Sequence, residues 1–307
     1  MNLDRIVHRL LDSPNISQIA LFALIMTSVW LVEKSVLAQS TREKWRHTWI
    51  NSLFVLSALP IQILMMTFSV GLAKWTTEDR WGLVYQLPHA ENPFIKYGLM
   101  FVALDFLDYI YHLTMHRVPA FWRFHLVHHS DRTVDVSTTV REHPCETVIR
   151  NAFLIVWVFL CGASAEILVV RQTVETVANL FAHTSLRLPP RLASIAGWLF
   201  ITPNLHHAHH HCNLPATNCN YGDVFSVWDR LFGTFVDLAR DDTVFGLDTH
   251  MNGEVEARLL RMLGLAAAGT KVRPPREIRR HCADFSYRAS SWKTPRRGNM
   301  GATRSSE

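Results

Sequence analysis

The chain has 307 residues, 49% of them hydrophobic and only 19% charged, with a formal net charge of +5. That balance leans toward a membrane protein. Five cysteines, odd in number and irregularly spaced, exclude a disulfide framework.

The charge is unevenly placed. Residues 271–307 hold ten Lys/Arg against three Asp/Glu, so this tail is +7 and the other 270 residues are −2. It reads as a disordered, soluble segment, or as one drawn electrostatically to an anionic cytoplasmic leaflet. No aromatic stacking platform or nucleic-acid-binding motif accompanies it, so nucleic acid is not expected as a partner.

Residues 1–16 carry both signs of charge (Asp4, Arg5, Arg9, Asp12), and no small-x-small site ends the first apolar run, unlike a cleaved signal. Four apolar regions follow. Ile16–Val32 and Trp49–Ala73 are uncharged, the second with Pro60 inside it. Phe94–Met115 contains Lys96, Asp105 and Asp108, so it spans only if its acids face protein. Ala152–Val170 is broken at "CGAS" and, taken with residues 171–183, reads as a helical hairpin turning near Gly162. A spanning helix needs about 20 apolar residues. The expected fold is therefore all-α, a multi-pass membrane helical bundle with about four membrane segments. The basic link 34–46 and the arginines after Met115 place those segments on the cytoplasmic side. The expected divisions are N-terminal membrane helices (1–93), a catalytic region (94–240), a helical extension (241–270) and the tail (271–307).

Histidine is unusually common, at 17 residues, and it clusters. His112 and His116 close the third apolar region with i, i+4 spacing, one face of a helix. In "FHLVHHS", the i, i+3, i+4 spacing of His125, His128 and His129 predicts three imidazoles on one face. "NLHHAHHHCN" holds the same pattern in two registers: His206, His209, His210 or His207, His210, His211. His143 and His183 lie between the clusters. One tetrahedral zinc takes four ligands, so at least eight histidines suffice for two metals, and imidazole suits iron, zinc, copper and nickel. The clusters sit at the inferred cytoplasmic ends of apolar helices. That position suits a substrate whose acyl or isoprenoid chain stays in the membrane while its reacting carbon meets a metal. A metal ligand's other N–H needs an acceptor; Asp105, Asp108, Glu142, Glu146 and Asp223 are candidates. Asp105 is preferred, because a carboxylate inside an apolar span needs a partner. A zinc hydrolase would need a motif such as H-E-x-x-H, and none occurs. Cys212-x6-Cys219 as a zinc site competes for histidines already used. "WDRLFGTF" predicts an amphipathic helix with Trp228, Leu231 and Phe232 on one side and Asp229 and Arg230 on the other. It either packs the metal-bearing region or serves as a lid or donor-docking edge.

The ordered motifs "HLTMH", "FHLVHH", "REHP", "TPNLHHAHHH" and "NYGDVFSVWDRLFGTF", over roughly residues 95–240, resemble the fatty acid hydroxylase/sterol desaturase superfamily of membrane di-iron oxidases. The resemblance implies a cytoplasmic histidine-rich helical cap. It implies two Fe ions, with O2 and external electrons used to hydroxylate or desaturate a lipid C–H bond. Residue by residue, it assigns His112, His116, His125, His128, His129 and His183 as metal ligands. The family's Pro-x-x-His-x-x-His-His box sets the register from Pro203, which adds His206, His209 and His210. His143 matches the family's R-x-H-P element, and with Asp105, chosen for its place in an apolar span, it is the expected catalytic residue at or beside the metals. Leu113, Asn218 and His211 depart from the family pattern, where Arg, Asp and Ser are usual. No dinucleotide-binding glycine pattern or C-x-x-C-H motif is present, so reductant is expected from a ferredoxin- or cytochrome b5-like partner. The expected substrate is a membrane lipid, and hydroxylation in lipid biosynthesis is the leading reading. The alternatives are desaturation and a non-catalytic metal- or lipid-binding membrane protein.

Overall fold

The computed structural model describes residues 14–36, 40–88, 92–213, 216–238 and 242–247. The expected basic tail, and all but 242–247 of the expected extension, lie outside the described residues. Among these residues the regular structure is helical, with two isolated bridges, Phe200–Phe225 and His211–Phe245, and no β-strand.

The long helices are α1 (Pro14–Val36), α2 (Thr41–Glu78), α3 (Pro93–Arg117), α5 (Pro144–Cys161) and α6 (Ala165–His183). Shorter ones carry the connections: α4 (Pro119–His129), α7 (Pro190–Ala196), α8 (Pro203–His209) and α9 (Val227–Phe232). Prolines open α3, α4, α5, α7 and α8 in their first turns, where the missing N–H costs no intrahelical bond. The 38-residue α2 continues through Pro60. At 1.5 Å per residue it is about 57 Å long, far more than a bilayer's apolar thickness.

Among the described residues three helices are long and apolar enough to cross a membrane: α1, α2 and α5. The expected fourth region divides as the sequence predicts near Gly162, but its first helix begins at Pro144 rather than Ala152. Gly162 caps α5 in the left-handed conformation (φ 74°). A Cβ there would collide with Trp81 O, because the end of α2 crosses directly over this turn. Thr76 Oγ1 donates to Ala163 O (3.2 Å) and Trp81 Nε1 to Phe159 O (2.9 Å) across the same junction. A core of Ala73, Met100, Leu104, Val158 and Ile167 fills this end of the bundle.

The opposite end is polar. Glu33, fully buried at the end of α1, accepts from Lys44 Nζ (2.9 Å), Val136 N (3.2 Å), Thr184 Oγ1 (2.8 Å) and Ser185 N (2.7 Å). Lys44 also reaches Asp135 (3.0 Å), and the His47 ring lies between Asp131 and Asp135. Burial alone would raise the Asp131 carboxyl. The His47 ring, then Arg141 and the Thr138 hydroxyl, hold it well below the usual range instead. Arg141, 2% exposed, donates to Val127 O (2.9 Å), Asn51 (2.9 Å) and Ser130 (3.0 Å). This network joins the end of α1 and the start of α2 to the segments after His129 and His183.

The Gly162→Ala variant should lose roughly 1–2 kcal/mol from the left-handed backbone alone, and more from the collision with Trp81 O. Thermal unfolding in detergent would register it as a lowered Tm, and an unchanged Tm would contradict the tight crossing.

Candidate metal centre

Nine histidines converge where α3, α4, α6 and α8 end. Their donor nitrogens form two groups, each with its members within 4.8 Å of one another: His112, His116, His125, His129 and His209, and then His128, His183, His206 and His210. The groups adjoin. The His129 and His210 rings stack at 4.6 Å, and those of His125 and His128 lie 5.3 Å apart.

Helix geometry explains the division. Successive residues turn by about 100°. In α4, His125 and His129 share a face, while His128 diverges into the second group. At α8 the division is reversed: His206 and His210 serve the second group and His209 the first. The i, i+3, i+4 motif therefore does not present three imidazoles to one site, as expected from spacing, but divides them between two adjacent ones.

The Nδ1 atoms fix the tautomers. His112 donates to Tyr221 O (3.0 Å), His128 to Arg141 O (3.3 Å), His183 to Asn179 O (2.9 Å) and His209 to Cys219 O (2.6 Å). His125 donates to Glu146 Oε1 (2.6 Å) and His116 to Asn218 Oδ1 (3.2 Å). A ring with its proton on Nδ1 presents a bare lone pair at Nε2. Yet the Nε2 atoms of His128 and His183 are 3.1 Å apart, and those of His112 and His125 are 3.2 Å apart. The chain His183–His206–His210 continues at 2.9 and 3.1 Å. In the first two of these pairs both rings carry their proton on Nδ1, so the facing lone pairs repel unless a cation lies between them. Two nitrogens at right angles around one ion, each about 2.1 Å from it, stand about 3 Å apart. The donor set thus fits metal ions.

Burial favours the neutral form of several of these rings. It is the largest cause holding His128, His129, His206 and His210 well below the usual imidazole range, and neighbouring imidazoles add to it. Burial likewise pushes His209 down to about 3, against the opposing hydrogen bond to Cys219 O.

The other predicted residues lie elsewhere. His207 accepts from Arg187 Nε (2.9 Å) and its ring faces Phe245; His211 accepts from Val244 N (2.9 Å). The register starting at His206 therefore turns inward. His143 is outside both groups: its Nδ1 accepts from Cys145 N (3.0 Å) and caps α5. Asp105 does not meet an imidazole. Its oxygens accept from Val224 N (3.1 Å) and Trp228 Nε1 (2.6 Å), which pins α9 to α3. Of the five candidate carboxylates only Glu146 accepts from an imidazole of the centre. Asp108 pairs with Arg171, Glu142 with Arg150, and Asp223 accepts from Asn179 (2.8 Å). Asn218, a departure from the family pattern, takes the acceptor place beside His116. The backbone acceptors carry no sequence signal.

A groove of about 920 Å³ opens beside the histidines. His112 and His125 of one group and His128, His183 and His206 of the other line it. It extends along one face of α2, past Val55, Leu59, Ile63, Met66 and Val70, with Ile19 and Phe22 of α1 opposite. Asp108, Glu142, Arg150 and Glu175 also line it.

The Glu146→Ala variant should weaken metal retention against a chelator roughly 10–100-fold, as loss of a ligand's orienting partner does. Unchanged retention would contradict its role. Acid should also destabilise the metal-free protein. An imidazole that is neutral when folded but binds a proton when unfolded costs stability as pH falls below about 6.5, its unfolded value. For His209 the loss runs from there down to about 3. A Tm that falls on acidification from pH 7.5 to 5 is expected; a flat profile would contradict buried neutral rings.

Residues 97–234 match the model of the fatty acid hydroxylase family. The chain is 30% identical over 177 residues to an alkylglycerol monooxygenase of Caenorhabditis elegans, covering 57% of this chain and 33% of the relative. It is 29% identical over 185 residues to the ornithine lipid hydroxylase OlsE of Rhizobium tropici (60% and 51%). It is 25% identical over 178 residues to human cholesterol 25-hydroxylase (56% and 62%). The chain thus spans about a third to a half of the length of the first two of these relatives. No solved structure matches significantly. Residues 97–234, a little under half of the chain, are thus similar to the fatty acid hydroxylase/sterol desaturase superfamily.

Proposed function

We propose that the chain is an integral, multi-pass membrane oxygenase. It would use two irons, O2 and electrons from a separate donor to hydroxylate a C–H bond of a lipid. The observation that carries this reading is the placing of two adjacent imidazole groups at the end of one groove along apolar helices. His112, His116, His125, His129 and His209 would hold one iron. His128, His183, His206 and His210 would hold the other. Bound iron supplies the oxidation of an unactivated C–H bond, which side chains alone cannot perform. One oxygen atom enters the C–H bond and the other leaves as water, consuming two electrons and two protons.

The chain's own residues bind and orient. The face of α2 from Val55 to Val70 suits an aliphatic chain, while Asp108, Glu142, Arg150 and Glu175 suit a polar head group beside the histidines. The relatives named as hydroxylases and monooxygenases support hydroxylation over desaturation. The basic residues that follow α1 and α3 support a metal centre on the cytoplasmic side.

Comparative lipidomics of cells with and without the gene tests this directly. The expected product is a lipid with one added oxygen, absent when His128→Ala replaces the wild type. A product lacking two hydrogens would make the chain a desaturase. A lipid change that persists in the His128→Ala variant would overturn the site assignment.

A further inference from the structure

The metal-bearing half of the chain also carries an apolar surface that the catalytic reading does not use. Residues 192–205 contain no charged side chain. Within this stretch Ile195 is 73% exposed, Trp198 68%, and Leu199 and Phe200 nearly half. Leu231 (68%) and Phe232 (52%) of α9 extend the exposed apolar surface. The two segments form one surface. Phe200 and Phe225 are joined by a bridge, with ring centroids 5.7 Å apart, and Arg230 lies over the Trp198 ring at 4.6 Å. Soluble monomers rarely expose so much contiguous apolar area.

The charges that should make α9 amphipathic do not face outward. Asp229 is fully buried and accepts from Tyr221 N (2.7 Å), Gly222 N (2.9 Å) and Thr234 Oγ1 (2.7 Å). Arg230 donates to Gly197 O (2.9 Å) and packs on Trp198 and Phe235. Of the expected polar side of "WDRLFGTF", Asp229 is therefore turned inward and Arg230 is half-buried against aromatic rings, while Leu231 and Phe232 of its apolar side are left outside.

Depth identifies the occupant. Phe225 packs on Phe101 (6.0 Å), and Trp228 and Phe232 pack on Phe106 (4.8 and 5.7 Å). Met100 and Leu104, on the same stretch of α3, share a core with Ala73 of α2 and Val158 of α5. Both of those residues lie within candidate membrane spans. Exposed Leu99 and Val102 continue the apolar surface along α3. Arg191 is exposed at the near edge, where a cation meets lipid phosphates.

We propose that residues 190–200 and α9 form a wedge immersed in the lipid, docking the metal-bearing region on the bilayer rather than holding it in the aqueous phase. This rests on the reading of the chain as an integral membrane protein, and it replaces a purely aqueous cap with a half-embedded one. Trp198 supplies an aromatic anchor of the interfacial kind, with the Arg230 guanidinium packed on its ring.

The test uses the full chain reconstituted in phosphatidylcholine vesicles, as wild type and as the conservative Trp198→Phe variant. Trp198 emission is the difference between the two spectra. Lipids brominated on their acyl chains should quench that difference signal, and aqueous acrylamide should leave it largely intact. Quenching by acrylamide but not by bromolipid would overturn the wedge and make the surface one for a soluble partner. Protection from both quenchers would also overturn it, since protein would then cover the surface. Vesicle flotation separates the underlying reading: a chain that fails to float defeats the membrane assignment, whereas one that floats with Trp198 open to acrylamide defeats only the wedge.

Discussion

Nitrogen lone pairs that face one another across about 3 Å in a water-poor interior are unfavourable without a cation between them, and the polar architecture of this chain maintains that arrangement. Six of the nine rings have Nδ1 committed to an acceptor, four of these being backbone carbonyls. Backbone acceptors cannot rotate away, so Nε2 stays aimed inward. The alternative, protonating the rings, is opposed by their burial and by one another's charge. Metal affinity and the neutrality of the cage thus have one physical origin.

Holding the cage requires rigid surroundings, which the ends of the first two helices provide. Glu33, Lys44, Asp135, His47 and Asp131 form buried ion pairs, each charge meeting an opposite one or several hydrogen-bond donors. Such pairs contribute little net stability, but removing one partner leaves a costly buried charge. Their placement gives them a positioning role. Glu33 grips Thr184 and Ser185, directly after His183, and Arg141 offers its carbonyl to His128 while its guanidinium holds Val127 and Ser130. At the other end, the crossing of Gly82 and Gly162 sets how closely α2 approaches the turn between α5 and α6.

Much of this was legible in the residues alone. Helix-face spacing selects the histidines of α3 and α4, whereas at α8 spacing leaves two registers open and only the family's box, anchored at Pro203, points to His206, His209 and His210. Other features left no local signal. The division of each i, i+3, i+4 box between two groups depends on where a facing helix stands. A carboxylate in an apolar run needs a partner, and Asp105 has one. That partner is the Trp228 indole, brought to it by a fold connection of more than a hundred residues. His143 caps a helix because Pro144 follows it. Asn218 supplies an acceptor through its side-chain oxygen, which makes a neutral amide sufficient at that place. The exposed surface around Trp198 carries no span signal in the sequence, because its uncharged stretch is too short.

The central claim is that nine imidazoles from four helix ends hold two neighbouring irons. Iron K-edge X-ray absorption on protein purified from iron-replete cells, with iron counted per chain, tests it most directly. The account predicts two irons per chain, a nearest shell of nitrogen and oxygen scatterers alone, and a metal–metal contribution. Sulfur scatterers, or a single isolated iron per chain in fully active protein, would contradict it.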